Sequence, residues 1–226
     1  MAKRGPKPKK LVDTTWSGDF AYALGLLATD GCLAKTQTLI DLTSKDKEQL
    51  QNFNKCIGLS LKIAKKNVGY ENEAWRVQIK NRIFYDFLIS IGFTPAKSRT
   101  INKISIPDEY FFDFLRGCFD GDGSFYSYWD TRWRSSFMFY TSFVSASRPF
   151  ILWIRKEIQS RISIKGHLGS AKKKNIYYQL KYAKGESLQL IEKMYENPKS
   201  LYLTRKKLKI DKALAIMYGS NKCLTK

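Results

Sequence analysis

The chain has 226 residues and a formal net charge of +20, from 40 Lys and Arg against 20 Asp and Glu. Hydrophobic residues make up 43% of it, so one large domain or two small ones could enclose a core. A folded protein this basic favours a polyanionic partner, and the 14% of aromatic residues make nucleic acid the best fit. No apolar run is long enough to span a membrane, and binding at a membrane surface is the weaker alternative because no basic amphipathic helix dominates.

The N-terminal residues 1–14 form a basic tail without the apolar segment of a secretory signal, so we expect a protein that is not secreted. Two interpretations of this tail stay open: a flexible solvated segment, or an arm that lies along a minor groove. The four cysteines match no zinc spacing, and His167 is the single histidine of the chain. The cysteines therefore indicate reduced thiols in an intracellular, reducing compartment, such as the cytoplasm, the nucleoid or an organelle matrix. They are Cys32, Cys56, Cys118 and Cys223.

In chain order, the predicted elements begin with a helix that Thr15 or Ser17 caps and that ends near Asp30. The first half continues with strands near Cys32–Thr36 and Thr38–Thr43, a helix from Ser44 to Gly58, strands over Leu61–Lys66 and Ala74–Lys80, and a helix over Arg82–Ile91. A linker with Pro95 and Pro107 follows, and then the same order repeats. The second half has a helix ending near Asp122, strands near Ser124–Trp129 and Arg134–Val144, a helix over Pro149–Ile162, strands near Ile164–Ala171 and Ile176–Tyr182, and helices over Glu186–Tyr195 and Thr204–Tyr218.

This pattern predicts an α+β fold of two α-β-β-α-β-β-α halves, residues 15–105 with the linker and residues 106–226. Four antiparallel strands with helices on one face leave the other face of each sheet open. We expect basic and amide side chains there, in a set that contacts nucleic acid, although an ordinary solvated face is the alternative. The set is Lys45, Lys62, Arg76, Gln78, Lys80, Arg132, Arg134, Gln179 and Lys181.

Two apolar stretches that begin the halves resemble each other at an offset of 92 residues. They read FAYALGLLATDG, Phe20–Gly31, and FDFLRGCFDGDG, Phe112–Gly123. A glycine inside a helix costs about 1 kcal/mol relative to alanine, so Gly117 and Gly121 need a reason. Their spacing of four places both on one helix face, where another backbone could come very close. The repeat therefore predicts two similar halves that meet along these two helices.

Each of these helices ends in an acid, Asp30 or Asp122, at the end where the helix dipole disfavours a negative charge. If the helices pair through their glycine faces, the two carboxylates converge. Mg²⁺ prefers oxygen ligands and binds through one or two carboxylates plus phosphate oxygens, and the carbonyls of Thr29 and Gly121 could add to the set. The alternative is a helix-ending Asp-Gly turn. Two copies at the ends of matching glycine helices favour the metal site.

These residues carry a resemblance to a known family. ALGLLATDG (Ala23–Gly31) and LRGCFDGDG (Leu115–Gly123) resemble the two motifs of single-chain LAGLIDADG homing endonucleases. GFTPAKSRTI (Gly92–Ile101) and YLTRKKLKI (Tyr202–Ile210) resemble the basic segments that close each half in that family, and LTSKDKEQLQNF (Leu42–Phe53) resembles the segment that opens its second helix. The resemblance covers essentially the whole chain after the tail.

The resemblance implies a monomer of two pseudo-twofold halves, with the motif helices at the interface and a saddle of antiparallel strands in the major groove of a long DNA target. It implies a site-specific endonuclease that cuts each strand of double-stranded DNA once, using Mg²⁺ or Mn²⁺, with Ca²⁺ as a non-cleaving substitute. The implied metal ligands are Asp30 and Asp122. Lys97 and Lys206 match the basic-pocket lysines of the family, although Arg205 and Lys207 flank the second.

The chain departs from the family at the end of the second strand of each half, where many members have a glutamine that organises water. Ser44 and Ala146 occupy the matching places, and Lys45 is the expected substitute on one side. Two other functions stay open on the same fold: an RNA-binding intron maturase, and a DNA-binding regulator that does not cut. The presence of both acids favours cleavage.

Overall fold

The computed structural model describes residues 9–67, 73–133, 136–172 and 176–221. Arg134 and Cys223 lie outside these ranges. Within them, no helix is both long enough and apolar enough to cross a membrane. The elements of the first half are α1 (Gly18–Asp30), β1 (Gly31–Leu33), β2 (Leu39–Ser44), α2 (Lys47–Cys56), β3 (Ala64–Asn67), β4 (Glu73–Lys80) and α3 (Arg82–Ser90). Those of the second half are α4 (Phe111–Asp122), β5 (Ser124–Trp129), β6 (Phe137–Ser145), α5 (Arg148–Ile162), β7 (His167–Lys172), β8 (Ile176–Tyr182), α6 (Lys184–Met194) and α7 (Thr204–Asn221).

The predicted α+β duplication is confirmed by two antiparallel sheets with the same strand order. The first sheet is ordered β1-β2-β4-β3, and the second is ordered β5-β6-β8-β7. Their registers also agree, since Cys32 pairs with Asp41 in the first sheet and Ser124 pairs with Ser142 in the second. Residues of β2 therefore correspond to residues of β6 at a constant offset, which allows the two halves to be compared side chain by side chain.

Three predicted strands begin three residues too early: β6, which starts at Phe137 rather than Arg134, and two whose later start has a visible cause. The first, β3, starts at Ala64 rather than Leu61, because Asn54 donates a side-chain hydrogen bond to the Leu61 carbonyl at 2.8 Å and holds that segment in a loop. The second, β7, starts at His167 rather than Ile164. Here Ser163 ends α5 at a φ of +57° and Gly166 has a φ of +62°, so the chain makes a left-handed turn before it extends.

The helices α1 and α4 pair at the centre of the molecule, as the glycine pattern predicts. A Cβ at Gly25 would lie 2.1 Å from the Phe114 carbonyl oxygen, and one at Gly117 would lie 2.2 Å from that of Tyr22. Only glycine, which has no Cβ, allows the two backbones to approach this closely. Every residue of α1 from Phe20 to Ala28 is buried in consequence.

A buried acid, Asp120, ties α4 to the first half and to the segment that closes the second half. Its Oδ2 accepts hydrogen bonds from the Tyr22 hydroxyl and from the Leu203 backbone N–H, both at 2.7 Å. Burial raises the pKa of this carboxyl to about 6, and the two donors oppose that shift. The contact fixes the approach of α7 to the end of α4.

The described part of the basic tail packs against the first half. Val12 is buried, and the Asn81 side chain donates a hydrogen bond of 2.7 Å to the Lys9 carbonyl. Residues 9–14 are thus attached where β4 ends and α3 begins. The remainder of the tail, residues 1–8, lies outside the described residues.

Candidate functional site

The two acids converge because each is the last residue of a central helix. Asp30 ends α1 and Asp122 ends α4. The Asp30 carboxylate leans across the interface, since its Oδ2 lies 3.0 Å from the point where a Cβ of Gly121 would stand. The close helix contact thus brings the acid of one half against the backbone of the other, at the boundary between the two sheets.

Burial controls the charge of both acids. It raises the pKa of Asp30 to about 6, and the neighbouring Asp122 raises it further, while Gln49, Lys97 and Lys206 oppose the shift. Burial also raises the pKa of Asp122, against the effect of the same two lysines. Two partly buried carboxylates that repel each other are an electrostatic cost to the fold, and a bound cation would relieve that cost.

An amide from α2 reaches the first of these acids. Gln49 Nε2 donates to Asp30 Oδ2 at 2.6 Å, and Gln49 Oε1 accepts from the Ser44 hydroxyl at 2.7 Å. The amide that contacts Asp30 thus comes from the first turn of the next helix and not from the strand end, where Lys45 is the expected substitute. Sequence reasoning missed Gln49 because it searched only the strand end. The sequence feature that could have predicted this contact is a glutamine five residues after Ser44, on the inner face of an amphipathic helix.

Among the described residues of the second half, no matching amide contacts Asp122. Ser145, and not Ala146, is the counterpart of Ser44, because each serine hydroxyl accepts a hydrogen bond from the backbone N–H two residues later, at 3.1 Å and 3.0 Å respectively. Gln49 is the third residue of α2, and the third residue of α5 is the buried Phe150. The two acids therefore lie in different surroundings within the described part of the chain.

The two lysines hold the ends of the motif helices. Lys97 Nζ donates to the carbonyls of Ala28 and Thr29, at 2.7 Å and 2.5 Å. Lys206 Nζ donates to the carbonyls of Asp120 and Gly121, at 2.8 Å and 3.0 Å, which are the corresponding positions of α4. It also reaches two further carbonyls at the same helix end. The geometry identifies Lys206 as the positional counterpart of Lys97.

The residues that flank Lys206 have other partners. Arg205 pairs with Asp46 at 2.7 Å, and Lys207 pairs with Asp211. Lys97 and Lys206 are both buried, and burial lowers the pKa of each, to about 8 for Lys206. Each ammonium satisfies carbonyls that the helix leaves unpaired and brings positive charge to the negative end of the dipole. The lysines thereby offset the unfavourable position of the acids.

The atoms at the helix ends that could bind a metal are all oxygens. The carbonyls of Thr29 and Gly121 lie beside the carboxylates, and each retains one lone pair after accepting from its lysine. The described residues include no group of three or more His, Cys, Asp and Glu side chains that could enclose a metal. Two carboxylates without a closed cage fit Mg²⁺, which keeps several positions for water and substrate phosphate, and do not fit the nitrogen and sulfur ligands of zinc.

The open face of the first sheet is polar and is organised around Asp41. Gln78 donates to this carboxylate at 2.8 Å, and Lys66 and Arg76 lie 3.8 Å and 3.9 Å from it. The sequence set did not include Asp41, whose carboxylate holds two of the predicted side chains in place. Lys62 and Lys80 are exposed, and so is Lys45, which directly follows β2.

The open face of the second sheet has a different character. Gln179 and Lys181 lie on it as predicted, but Lys181 donates to the Tyr126 hydroxyl at 3.2 Å and stands among aromatic rings. Three tyrosines, Tyr126 and Tyr128 of the edge strand β5 and Tyr140 of β6, lie side by side on this face. Arg132 lies in the loop between β5 and β6, bound to Asp130 through its backbone and side chain. The sequence set of basic and amide residues omitted the tyrosines.

Comparison with known proteins rests on structure alone, since no family model and no curated protein matches the sequence. The homing endonuclease I-LtrWI bound to target DNA superposes with a TM-score of 0.60 at 12% identity, over 92% of this chain and 93% of that one. I-DmoI in complex with DNA and Ca superposes with a TM-score of 0.52 at 12% identity, over 80% and 90%. The N-terminal LAGLIDADG domain of DUF199/WhiA gives 0.52 at 15%, over 81% and 85%. At these identities the likeness concerns the fold, and the chain therefore has the LAGLIDADG fold, with both motifs in one polypeptide.

Proposed function

We propose that this protein is a site-specific, divalent-metal-dependent endonuclease of double-stranded DNA, acting as a monomer on a long asymmetric target. One observation carries the proposal: two acids with raised pKa values converge at the paired ends of α1 and α4, between the two sheets. Natural proteins keep such an electrostatic cost mainly where function requires it. The net charge of +20 supports DNA as the partner.

Mg²⁺ or Mn²⁺ held by Asp30 and Asp122 would activate a water and stabilise the leaving oxygen during phosphodiester hydrolysis. The side chains around the acids have separate tasks. Gln49 fixes the Asp30 carboxylate through its hydrogen bond of 2.6 Å and favours the ionised form. Lys97 and Lys206 keep the helix ends closed and supply positive charge close to the reacting phosphates.

The two sheets supply DNA binding in this proposal. The first presents Arg76 and Gln78, whose side chains suit guanine and adenine edges in the major groove. Lys62 and Lys80 are exposed and suit phosphates. The differences between the sheets support an asymmetric target, with a separate sequence preference in each half.

A DNA-binding protein that does not cut is the second candidate. The likeness to the WhiA domain favours it, because the fold is shared with that LAGLIDADG domain as well as with the homing endonucleases. Either function requires the same DNA-facing sheets. Only cleavage requires both acids to remain ionised beside a cation, so the acids distinguish the two candidates.

The test begins with duplexes that the protein selects from a randomised library with Mg²⁺ omitted, followed by addition of Mg²⁺ and sequencing of the ends. We expect defined cuts in both strands. Asp30→Asn and Asp122→Asn should each abolish double-strand cleavage and leave the Kd for the selected duplex within about threefold, since a neutral amide only removes one repulsive charge. Asp19→Asn makes the same charge change in the exposed first turn of α1, and it should cut normally.

Cleavage that survives in either site variant would refute the assignment of the acids. Selected duplexes that bind tightly and are never cut, with Mg²⁺ or Mn²⁺, would establish the second candidate instead. Tight binding of structured RNA without duplex selection would indicate the maturase function. A Kd that rises steeply with salt is expected for every nucleic-acid partner and does not separate these outcomes.

A further inference from the structure

The open face of the second sheet carries a ladder of three tyrosines that the proposed cleavage chemistry does not use. The Tyr126 and Tyr140 rings stack at a centroid distance of 5.2 Å with planes 18° apart. The Tyr140 and Tyr128 rings stack at 6.2 Å with planes 8° apart. These tyrosines point to the same side of the sheet, since Tyr126 pairs directly with Tyr140 and Tyr128 pairs with Met138 two residues away.

The ladder is exposed without any visible structural need. Tyr126 and Tyr128 are 40% and 43% exposed, whereas Phe125 and Phe139, which point to the opposite side of the same strands, form part of the core. The tyrosines thus lie outside the core. A contiguous group of exposed aromatic rings of this kind indicates a binding surface.

The geometry of the ladder decides what it can bind. Tyr140 stacks with both of its neighbours, so its ring is less open to a single-stranded base than an isolated exposed ring would be. The Tyr126 hydroxyl is also engaged, because it accepts a hydrogen bond from Lys181 at 3.2 Å. Rings that already stack on one another offer a shared apolar surface, which suits apolar groups of a duplex better than it suits insertion of single-stranded bases.

Positive charge surrounds the ladder. Lys181 lies 5.0 Å from the centre of the Tyr140 ring, and Lys209 and Lys212 of α7 border a cavity beside Tyr126. Lysines at the margins suit the phosphates of a duplex, while the apolar centre suits the base edges between them. In the major groove the exposed apolar group is the C5 methyl of thymine.

We infer that the second sheet selects thymine methyl groups in its half of the target, whereas the first sheet reads donors and acceptors through Arg76 and Gln78. This inference rests on the proposed DNA binding and extends it to the class of bases recognised. The contrast between the sheets supports it, since the first open face carries the charged cluster around Asp41, whereas the second carries aromatic rings along β5 and β6. The half-site under β5 and β6 is therefore rich in thymine.

The test uses duplexes selected from a randomised library with Mg²⁺ omitted, so that binding is measured apart from cleavage. Parallel selections with Tyr128→Ser and Gln78→Ala assign the half-sites, because each variant should lose sequence preference in one half. Thymines in the half assigned to Tyr128 are then replaced one at a time by deoxyuridine, which lacks the methyl. We expect the Kd to rise about fourfold for each contacted methyl.

The matched variants separate the contribution of the tyrosine ring to the methyl preference from that of its hydroxyl. At the position whose methyl Tyr128 contacts, Tyr128→Ser should bind thymine and deoxyuridine duplexes equally, whereas Tyr128→Phe should keep the wild-type difference. Gln78→Ala should also keep it, since Gln78 lies on the first sheet. If thermal melting shows that Tyr128→Ser does not fold, Tyr126→Ser serves the same comparison.

Several results would overturn the inference. These are a half-site without thymine, a deoxyuridine effect below about twofold at every position, an undiminished effect in Tyr128→Ser, and tighter binding to single-stranded RNA than to any duplex. Failure of the proposed nuclease function looks different. In that case the methyl dependence persists in binding, and addition of Mg²⁺ produces no cut.

Discussion

The contact between α1 and α4 leads to the sharpest prediction, the substitution Gly117→Ala. This change adds one methyl group to the central helix interface. The new Cβ would lie 2.2 Å from the Tyr22 carbonyl oxygen and 2.9 Å from the Gly25 Cα. Both neighbours are backbone atoms, so neither can turn aside as a flexible side chain could.

The magnitude follows from the separation that the methyl requires. Ordinary carbon–oxygen contact requires the helices to part by about 1 Å, and such overpacking of a core costs about 1 to 3 kcal/mol, occasionally more. The higher helix propensity of alanine stabilises the variant by up to about 1 kcal/mol and partly offsets this cost. Because rigid backbone opposes the change, we expect a net loss of about 2 kcal/mol, which corresponds to about 4 to 8 °C in Tm for a chain of this length.

The assay is urea unfolding followed by tryptophan fluorescence and circular dichroism, with Gly219→Ala as the matched control. Gly219 lies within α7, and a Cβ there would meet no atom within 4 Å. The control therefore gains helix propensity without a clash, and its stability should be unchanged or higher by up to about 1 kcal/mol. The double variant Gly25→Ala/Gly117→Ala should lose less than the sum of its parts, since one separation of the helices relieves both contacts.

Equal stability of Gly117→Ala and Gly219→Ala would refute the reasoning, because it would mean that the helices are not in backbone contact. A strictly additive double variant would also count against a shared contact. If Gly117→Ala lost DNA cleavage at full stability, the glycine would serve the position of the acids and not the packing of the helices.

Three further predictions concern the helix ends. Lys206→Met should destabilise the fold by about 2 to 4 kcal/mol, because it leaves buried carbonyls unpaired. The control Lys207→Met, at the neighbouring position, should change stability by less than about 1 kcal/mol in the same urea assay. The free energy of unfolding without Mg²⁺ should fall as the pH rises from about 4 to 6, because the native state holds the proton of Asp120 up to a pKa of about 6, above the ordinary value of 3.8. Asp120→Asn should reduce this fall in the free energy of unfolding by at most about 3 kcal/mol over the interval. An unchanged fall would contradict the burial of this charge. Gln49→Leu should accumulate nicked duplex on a gel, because only the Asp30 side loses its amide. Equal slowing of both strand cuts would contradict that asymmetry.

Most of the fold was predictable because its signals are local or repeated. Alternation in β4, the cap at Ser17 and the repeat of FAYALGLLATDG as FDFLRGCFDGDG each depend on neighbouring residues. The starts of β3 and β7 were not predictable in this way. A distant Asn54 side chain holds the first segment out of the strand, and left-handed residues delay the second.

The candidate site also combines features that local sequence predicts with features that only tertiary contacts decide. The sequence alone determined that Asp30 and Asp122 end matching glycine helices, and the absence of a Cβ at Gly25 and Gly117 allows those helices to meet. Only the tertiary structure decided what surrounds the acids, because those partners come from separate parts of the chain. Gln49 arrives from α2 on one side alone. The resemblance pointed to Lys97 and Lys206, but only the structure shows that both hold the helix ends through backbone carbonyls. The tyrosine ladder likewise required strand register, since only the pairing of β5 with β6 brings Tyr126, Tyr128 and Tyr140 together.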